Sequence, residues 1–141
     1  MASDCLFCEM LDNEKDYVPV YEDEKLLAIM DIHPINPGHV LVFPREHVVD
    51  FHKLADDDYT HLMNVSKDLA DVLDYLYEPE RVGLLIAGFD IPHVHVHLVP
   101  MHQFHDITSK KIIDGQRGNP TRIELEEKAT EIREVIANPI D

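Results

Sequence analysis

The sequence feature that most restricts the fold of this chain is a strict alternation of histidine and valine at positions 93–97, which read His-Val-His-Val-His. In an extended strand successive side chains point to opposite faces, so the three imidazoles share one face and the valines share the other. The valine face must be buried against another layer, which leaves the imidazoles facing a cleft or a metal ion. This run therefore predicts one strand of a sheet that is covered by a helix.

Four further strands are predicted from short runs rich in β-branched and apolar residues. Residues 18–21 and 26–31 are separated by a polar turn and predict a hairpin, and residues 40–43 predict a buried strand. Residues 82–87 predict the fourth of these strands, which a short connection joins to the strand of the histidine run, residues 94–99. That connection favours antiparallel pairing, because a parallel crossover needs about a dozen residues or more.

Two amphipathic helices complete the predicted secondary structure. Residues 56–77 place apolar side chains three and four positions apart, with acidic residues near the N-terminal end. Thr121 is predicted to cap a second helix, residues 121–137, together with Glu124, and Pro139 is predicted to end it. Because the strands occur in runs rather than in alternation with helices, the expected class is α+β with a five-stranded antiparallel sheet.

Length and charge limit the organisation and the partners of the chain. Its 141 residues suit a single domain, 1–141. The 12 basic and 28 acidic residues give a formal net charge of −16, which disfavours polynucleotides and anionic membranes as partners. A small phosphorylated substrate stays compatible, because N–H donors at short range can outweigh a field that salt screens beyond about 8 Å. We find no signal peptide and no apolar run of about 18 residues, and therefore expect a cytoplasmic protein.

Histidine chemistry makes the alternating run a candidate for reactions at phosphorus. An imidazole, with an unperturbed pKa of about 6.5, serves near neutrality as base, acid or nucleophile. To attack phosphorus, a neutral imidazole needs its other ring nitrogen held as N–H by an acceptor, often a backbone carbonyl. A neighbouring N–H donor stabilises the non-bridging oxygens. A metal site made wholly of this strand is the alternative, although parallel side chains converge poorly on a tetrahedral centre.

Residues 93–100, His-Val-His-Val-His-Leu-Val-Pro, resemble the signature of the histidine triad (HIT) superfamily. Five upstream segments resemble the N-terminal half of bacterial-type, zinc-bearing members and occur in the same order as in those proteins. They are residues 5–8, 21–23, 30–32, 37–42 and 44–47. The resemblance implies a five-stranded antiparallel sheet with two helices. It also implies a homodimer in which two protomers join their sheets into one sheet of ten strands.

The resemblance assigns roles to particular side chains. The middle histidine of the signature, His95, would form a covalent nucleotidyl intermediate, and the third, His97, would contact phosphate. Asp31 and Ile32 correspond to the pair that lines the nucleoside pocket, and His39 to the histidine before the apolar strand. We therefore expect an enzyme that cleaves a phosphoanhydride or phosphoramidate bond of a purine nucleotide conjugate. The alternatives are a phosphorylase or nucleotidyl transferase, and a nucleotide-binding regulatory protein with vestigial catalysis.

Cys5 and Cys8 are the only cysteines, and their two-residue separation in a reducing compartment suits a metal or redox pair better than a disulfide. Thiolate and imidazole are the ligands that suit tetrahedral zinc. The resemblance to zinc-bearing members implies that His47 and His93 complete the set, which makes His93 a structural ligand. The alternative is a pair of reduced, partly buried thiols with His93 hydrogen-bonded elsewhere.

One segment before the signature departs from the family pattern. Many members carry Asn-x-Gly and then Gly-Gln there, which supplies an amide near the phosphate and the leaving group. Here the segment is shortened to residues 85–90, Phe89 occupies the glutamine position, and the asparagine has no counterpart. For Asp90 the sequence leaves two readings open, a group near the site and a turn residue that bonds its own backbone. The other histidines are expected at the surface or in loops: His33, His52, His61, His102 and His105.

A dimer is also expected on physical grounds. A short antiparallel sheet leaves exposed edges, and closed two-fold pairing removes the risk of uncontrolled edge association. The helix at residues 56–77 adds apolar side chains beyond those that one sheet face obviously covers, notably Leu62, Met63, Leu69 and Leu76. The expected interface therefore combines this helix with one edge of the sheet.

Overall fold

A five-stranded antiparallel sheet organises the protein, of which the computed structural model describes residues 5–107 and 118–138. Its strands lie in the order β1-β2-β3-β5-β4, and every neighbouring pair is antiparallel. The strands are β1 (Pro19–Glu22), β2 (Leu26–Met30), β3 (Val40–Pro44), β4 (Arg81–Leu85) and β5 (Val96–Met101). The predicted fold class is confirmed, and the last two strands begin and end up to two residues away from their predicted bounds.

Three α-helices accompany the sheet within residues 5–107 and 118–138: α1 (Leu6–Leu11), α2 (Asp56–Tyr77) and α3 (Arg122–Ala137). The predicted capping box of α3 is present, since Glu124 N donates to Thr121 Oγ1 at 3.1 Å and Thr121 N donates to Glu124 Oε1 at 3.3 Å. Pro139, the predicted stop, lies outside the described residues. Neither α1 nor a single 3₁₀ turn at Phe51–Lys53 was predicted, because both are too short to show a periodic pattern.

None of the helices in the described part of the chain combines the length and the apolarity that crossing a bilayer requires.

Strands β2, β3 and β5 are buried on both faces, and the alternation of side chains divides their residues between two apolar clusters. On one face Ala28, Val42 and Val96 join the main core, which α2 and α3 cover. On the other face Leu27 and Phe43 join a smaller cluster with residues of α1. The valine side of the histidine run therefore packs under the long helix, as predicted.

Two α2 residues that were expected to supply surplus apolar surface belong to the main core instead. Leu62 is fully buried and Leu69 is 3% exposed, whereas Met63 and Leu76 are only partly buried. Packing of α2 against both the sheet and α3 accounts for this difference. Leu62 and Leu69 are therefore not available for an interface with another protomer.

A polar turn between β1 and β2 is fixed by Asp23. Its Oδ1 accepts hydrogen bonds from Lys25 N and Leu26 N at 2.8 Å each, and its Oδ2 accepts from Tyr21 Oη at 2.7 Å. His61 Nε2 on α2 lies 2.7 Å from the same Oδ2, so this histidine takes part in a structural contact rather than standing free at the surface. Partial burial raises the pKa of Asp23, but these hydrogen bonds outweigh it and lower the pKa to about 2.

The loop from β2 to β3 is held against the end of α2. Gly38 has a φ of +92°, and a Cβ atom at this position would lie 2.5 Å from the ring of Tyr77. Both the conformation and the close approach therefore require glycine. The following residue, His39, directly precedes β3 and is fully buried, so its ring lies against the histidine run.

Candidate active site and metal centre

The ring of His95 is fixed by the backbone two residues before it. Nδ1 of His95 lies 2.7 Å from the carbonyl oxygen of His93, and because a carbonyl only accepts, Nδ1 must carry the proton. The Nε2 atom is buried and has no hydrogen-bond partner among residues 5–107 and 118–138. Phe7 of α1 packs against the ring edge-on, with 5.0 Å between ring centroids. In its neutral form, the ring of His95 thus presents an unshared electron pair on Nε2.

A second chain of contacts fixes the proton of His97. The backbone N–H of Ile35 donates to Nδ1 of His39 at 3.0 Å, so the proton of a neutral His39 ring is on Nε2. That Nε2 lies 3.0 Å from Nδ1 of His97, which must then accept, leaving the His97 proton on Nε2. Burial, followed by the nearby His39 and His95 rings, lowers the pKa of His97 to about 4 and favours the neutral form.

The rings of His95 and His97 are neighbours, with centroids 4.8 Å apart. One offers a lone pair and the other offers an N–H group. A phosphoryl group between them would meet a nucleophile and a donor to its oxygens at the same time. His93 and His95 lie just before β5 rather than within it, but the alternation of faces continues through the extended segment.

Three of the residues expected to bind nucleotide come together. Asp31, His39 and His97 each offer an atom within 4.8 Å of the others, and Asp31 Oδ2 lies 3.5 Å from His39 Nε2. Oδ1 of Asp31 accepts a hydrogen bond from the backbone N–H of His33 at 2.8 Å. Ile32 lies beside this group with 52% of its surface exposed. Ile32 thus offers an exposed apolar side chain next to the polar cluster of Asp31, His39 and His97.

The shortened loop before the histidine run brings Asp90 to the nucleophile. Oδ1 of Asp90 lies 3.4 Å from Nε2 of His95, so this residue does more than close a turn. The neighbouring imidazole is the main cause that holds the pKa of the Asp90 carboxyl well below its usual range, against the opposite effect of partial burial. Phe89, at the position where relatives carry glutamine, is 98% exposed. Nothing in the sequence pattern indicated which way either side chain points.

All four residues expected to bind metal converge on one point. Cys5 Sγ lies 3.3 Å from His93 Nδ1, and Cys8 Sγ lies 3.3 Å from His47 Nδ1 and 3.6 Å from His93 Nδ1. Tetrahedral zinc, with bonds of about 2.3 Å to sulfur and about 2.0 Å to nitrogen, separates such ligands by roughly 3.5 Å. The cluster is therefore compatible with a zinc ion without rearrangement.

The orientation of His93 also suits metal binding. Its Nε2 lies 2.7 Å from the carbonyl oxygen of Pro44, which requires the proton on Nε2 and turns the Nδ1 lone pair toward the thiols. Burial lowers the pKa of His93 to about 4, so the ring is neutral. Burial is also the main cause that raises the pKa of the Cys8 thiol to about 11 in the absence of metal. A bound cation would reverse that effect and stabilise the thiolate.

A buried polar network behind the site was missed at the level of sequence. Oδ2 of Asp106 accepts hydrogen bonds from Asn36 Nδ2 at 2.9 Å, His102 N at 2.8 Å and Gln103 N at 3.0 Å. Asn36 Nδ2 also donates to Pro100 O at 2.8 Å. These contacts tie the segment after β5 to the loop that carries His39. The two hydrogen bonds of Asn36 join residues 64 and 70 positions apart, so local patterns give no sign of them.

Comparison with protein families settles the relationship that the signature suggested. The model of the HIT domain matches residues 12–104, which is more than half of the chain. The chain belongs to the HIT family. A HIT-like protein of Methanocaldococcus jannaschii is 35% identical over 103 residues, which are 70% of this chain and 80% of that protein. An adenosine 5′-monophosphoramidase of Candida albicans is 33% identical over 105 residues, covering 68% and 69% of the two chains.

Solved HIT structures superimpose on nearly the whole chain. A histidine triad nucleotide-binding protein from Sulfolobus tokodaii has a TM-score of 0.80 at 30% identity and covers 95% of this chain and 93% of its own. A zinc-bound histidine triad family protein from Mycobacterium smegmatis has a TM-score of 0.76 at 27% identity, with coverage of 94% and 93%. The HIT fold therefore accounts for the sheet, for α2 and for the position of the histidine run.

Proposed function

We propose that this HIT protein hydrolyses purine nucleotide conjugates through a covalent nucleotidyl intermediate on His95. The observation that carries the proposal is the buried Nε2 of His95, which has an unshared pair while Nδ1 is held as N–H by the carbonyl of His93. A neutral imidazole held in this way is the form of histidine that attacks phosphorus. Membership of a family that includes adenosine 5′-monophosphoramidases supports a bond between a nucleotide phosphorus and a leaving group as the target.

The reaction consists of two displacements. In the first, Nε2 of His95 bonds to the phosphorus and the leaving group departs with the electron pair of the bond that breaks. In the second, water bonds to the same phosphorus and releases one proton, and the electron pair of the P–N bond returns to Nε2. The N–H on Nε2 of His97 donates to a non-bridging oxygen in both steps, where negative charge develops. The Nδ1–H of His95 stays on the ring throughout, held by the His93 carbonyl.

The remaining nucleotide-binding residues divide into two groups. His39 acts through His97, because its hydrogen bond determines which nitrogen of His97 carries the proton. Asp31 and Ile32 line the nucleoside side of the site, where a carboxylate suits ribose hydroxyls and an exposed apolar side chain suits a purine face. The nucleotide-binding relative from S. tokodaii supports a nucleotide ligand in this fold.

We also propose that Cys5, Cys8, His47 and His93 hold one structural zinc ion. The ligand types, their spacing and the hydrogen bond from His93 to Pro44 support the assignment, as does the zinc-bound relative from M. smegmatis. Zinc would supply a bond network that fixes α1 to the segment before β5. His95 follows His93 by two residues, so the metal centre holds the position of the nucleophile.

A homodimer formed at the β4 edge of the sheet is the proposed assembly. β4 is an edge strand, and Leu84 on it is 44% exposed. On α2, Tyr59 is 40% exposed and supplies apolar surface that the protomer does not cover. Pairing of two β4 edges would produce the continuous ten-stranded sheet that the family resemblance implies.

The central experiment is hydrolysis of adenosine 5′-monophosphoramidate, diadenosine tetraphosphate and an acyl adenylate by the wild-type protein and by His95→Ala. We expect turnover of at least one conjugate by the wild type, and loss of several orders of magnitude in the variant with nucleotide binding retained. His102→Ala, at an exposed position, is the matched control and should keep full activity. Ordinary turnover by His95→Ala would refute the mechanism. A nucleoside diphosphate product in added phosphate would instead indicate a phosphorylase.

A further inference from the structure

Between the end of β4 and the histidine run, the chain contains one side chain that can exchange a proton. Residues 86–92 read Ile-Ala-Gly-Phe-Asp-Ile-Pro, and only Asp90 among them is titratable. Its carboxylate Oδ1 lies 3.4 Å from Nε2 of His95. The side chain of Asp90 is 55% exposed, whereas that of His95 is fully buried. The carboxylate therefore touches both the reacting nitrogen and solvent.

The contact between these two atoms is not a hydrogen bond. Nε2 of His95 has no hydrogen-bond partner in the described ranges, although Asp90 Oδ1 is close enough to be one. The carboxylate therefore lies next to the space that a phosphorus atom bonded to Nε2 would fill. The half-exposed side chain of Asp90 must turn to reach an atom on the far side of that phosphorus.

We propose that Asp90 is a catalytic residue of the second displacement, in which its carboxylate takes a proton from the water that attacks the nucleotidyl group on His95. This inference rests on the proposed function and extends it to one step. Entering and leaving atoms lie on opposite sides of the phosphorus in an in-line displacement. The attacking water therefore approaches the phosphorus from the side opposite to Nε2, and the partly exposed Asp90 side chain must turn toward it to accept the proton.

The other polar groups near His95 are committed to different contacts. Nδ1 of His97 accepts from His39, and its Nε2 carries a proton, so this ring donates rather than accepts. His93 faces the cysteines through Nδ1 and Pro44 through Nε2. The pKa of Asp90 lies well below its usual range, so its carboxyl is ionised at neutral pH. An ionised carboxyl has no proton for the leaving group in the first displacement, but it can accept one in the second.

The second displacement balances with Asp90 as the base. The water oxygen forms a bond to phosphorus and loses one proton to the Asp90 carboxylate, while the P–Nε2 bond breaks. Its electron pair neutralises the cationic, Nδ1-protonated ring of His95. The products are a nucleoside monophosphate, a neutral imidazole and a protonated Asp90. The exposed carboxyl then loses that proton to solvent, which restores the starting enzyme.

The test separates formation of the nucleotidyl enzyme from its decay. Wild type and Asp90→Asn are mixed with adenosine 5′-monophosphoramidate, quenched at successive times and analysed by intact mass. We expect decay in the variant to slow by about 10²-fold, the usual contribution of a positioned base, with a much smaller effect on formation. The covalent form should therefore accumulate in Asp90→Asn and not in the wild type. Asp71→Asn, an exposed substitution on α2, should match the wild type in both steps.

Two further measurements distinguish a structural role of Asp90 from a chemical one. Formate, a small carboxylate, should accelerate decay of the nucleotidyl enzyme in Asp90→Ala and have no effect on the wild type. Decay at the wild-type rate in Asp90→Asn, or an equal slowing of formation and decay without formate rescue, would overturn the role of Asp90 alone. Absence of any His95 adduct in the wild type together with absence of turnover would overturn the proposed function as well.

Discussion

His39 and His97 are joined ring to ring, with Nε2 of the first 3.0 Å from Nδ1 of the second. The direction of this hydrogen bond is determined outside the pair, because the backbone N–H of Ile35 donates to the far nitrogen of His39. A backbone amide thus decides which nitrogen of His97 faces a substrate with a proton. The role of His39 in positioning the N–H donor of His97 can therefore be tested without altering the nucleophile, His95.

Substitution of His39 should impair turnover more than binding. In His39→Gln the ring of His97 loses the partner that sets its orientation and proton position. We expect kcat to fall by about 10²-fold, the effect of a small misplacement at a reacting centre, with little change in KM. Steady-state kinetics on a conjugate that the wild type hydrolyses would measure this. His33→Gln, at an exposed position, serves as control, and a variant that changes only KM would contradict the positioning role.

Zinc should be present at about one ion per chain and should stabilise the fold. Chelation is expected to lower the temperature of unfolding, because the metal binds the folded chain and not the unfolded one. His47→Ala should reduce zinc content and stability together, whereas His52→Ala, an exposed histidine on the 3₁₀ turn, should change neither. Elemental analysis and thermal unfolding are the measurements. A metal-free preparation that unfolds at the same temperature would exclude a structural metal here.

Phe7 should contribute strongly to stability. It is fully buried, its ring stacks on Phe43 with centroids 4.1 Å apart, and it contacts the rings of His93 and His95 edge-on. Phe7→Ala is expected to cost about 3–5 kcal/mol in the free energy of unfolding, from lost burial and the cavity left behind. Phe104→Ala, at a position that is 83% exposed, should change it by no more than about 0.5 kcal/mol. Chemical denaturation measures both, and similar effects would contradict the packing argument.

Protonation of Asp23 at acid pH should lower the free energy of unfolding. Its folded pKa of about 2 lies below the ordinary value of 3.8, so the native state favours the carboxylate. A group whose pKa is lowered on folding stabilises the protein above its unfolded pKa, and this stabilisation disappears as pH falls through the folded pKa. The free energy difference between wild type and Asp23→Asn should therefore shrink between about pH 4 and pH 2. A difference that is constant over this range would show that ionisation of Asp23 plays no part.

The protein should behave as a dimer in solution. Sedimentation or light scattering at micromolar concentration is expected to give twice the 16.3 kDa of one chain. Leu84→Lys places a charge on the exposed edge strand β4 and should shift the mass toward that of a monomer. Ile123→Lys, on an α3 side chain that is 70% exposed, should leave the dimer intact. A wild-type mass near one chain would refute the assembly.

Sequence patterns predicted those parts of the fold in which a local repeat controls the structure. The 22 residues of α2 were predicted with the observed bounds, because a long amphipathic helix repeats its signal several times. The capping box of Thr121 and Glu124 was also predicted, because both residues lie within one turn and their pattern is local. By contrast, the six residues of α1 make less than two turns and carry no readable period.

The residues of the candidate site were predicted more completely than their contacts. The family signature indicated which side chains matter, but the direction of Asp90 depends on a loop, and loops have no side-chain period. The hydrogen bond between His39 and His97 joins residues 58 positions apart, so it forms only in the tertiary fold. Proton positions on the rings follow from these contacts and from no feature of the sequence by itself.

The contact between Cys5 and His93 closes a segment of 88 residues, and Phe7 reaches the nucleophile from the same end of the chain. During synthesis, Cys5 and Cys8 cannot contact His93 until the histidine run has left the ribosome. A six-residue helix is too short to persist by itself in water. Contacts between residues so far apart in the chain form slowly, because the intervening segment must first be ordered. The reactive centre is therefore completed late in folding, and a chain that stops before residue 93 lacks both His95 and His97.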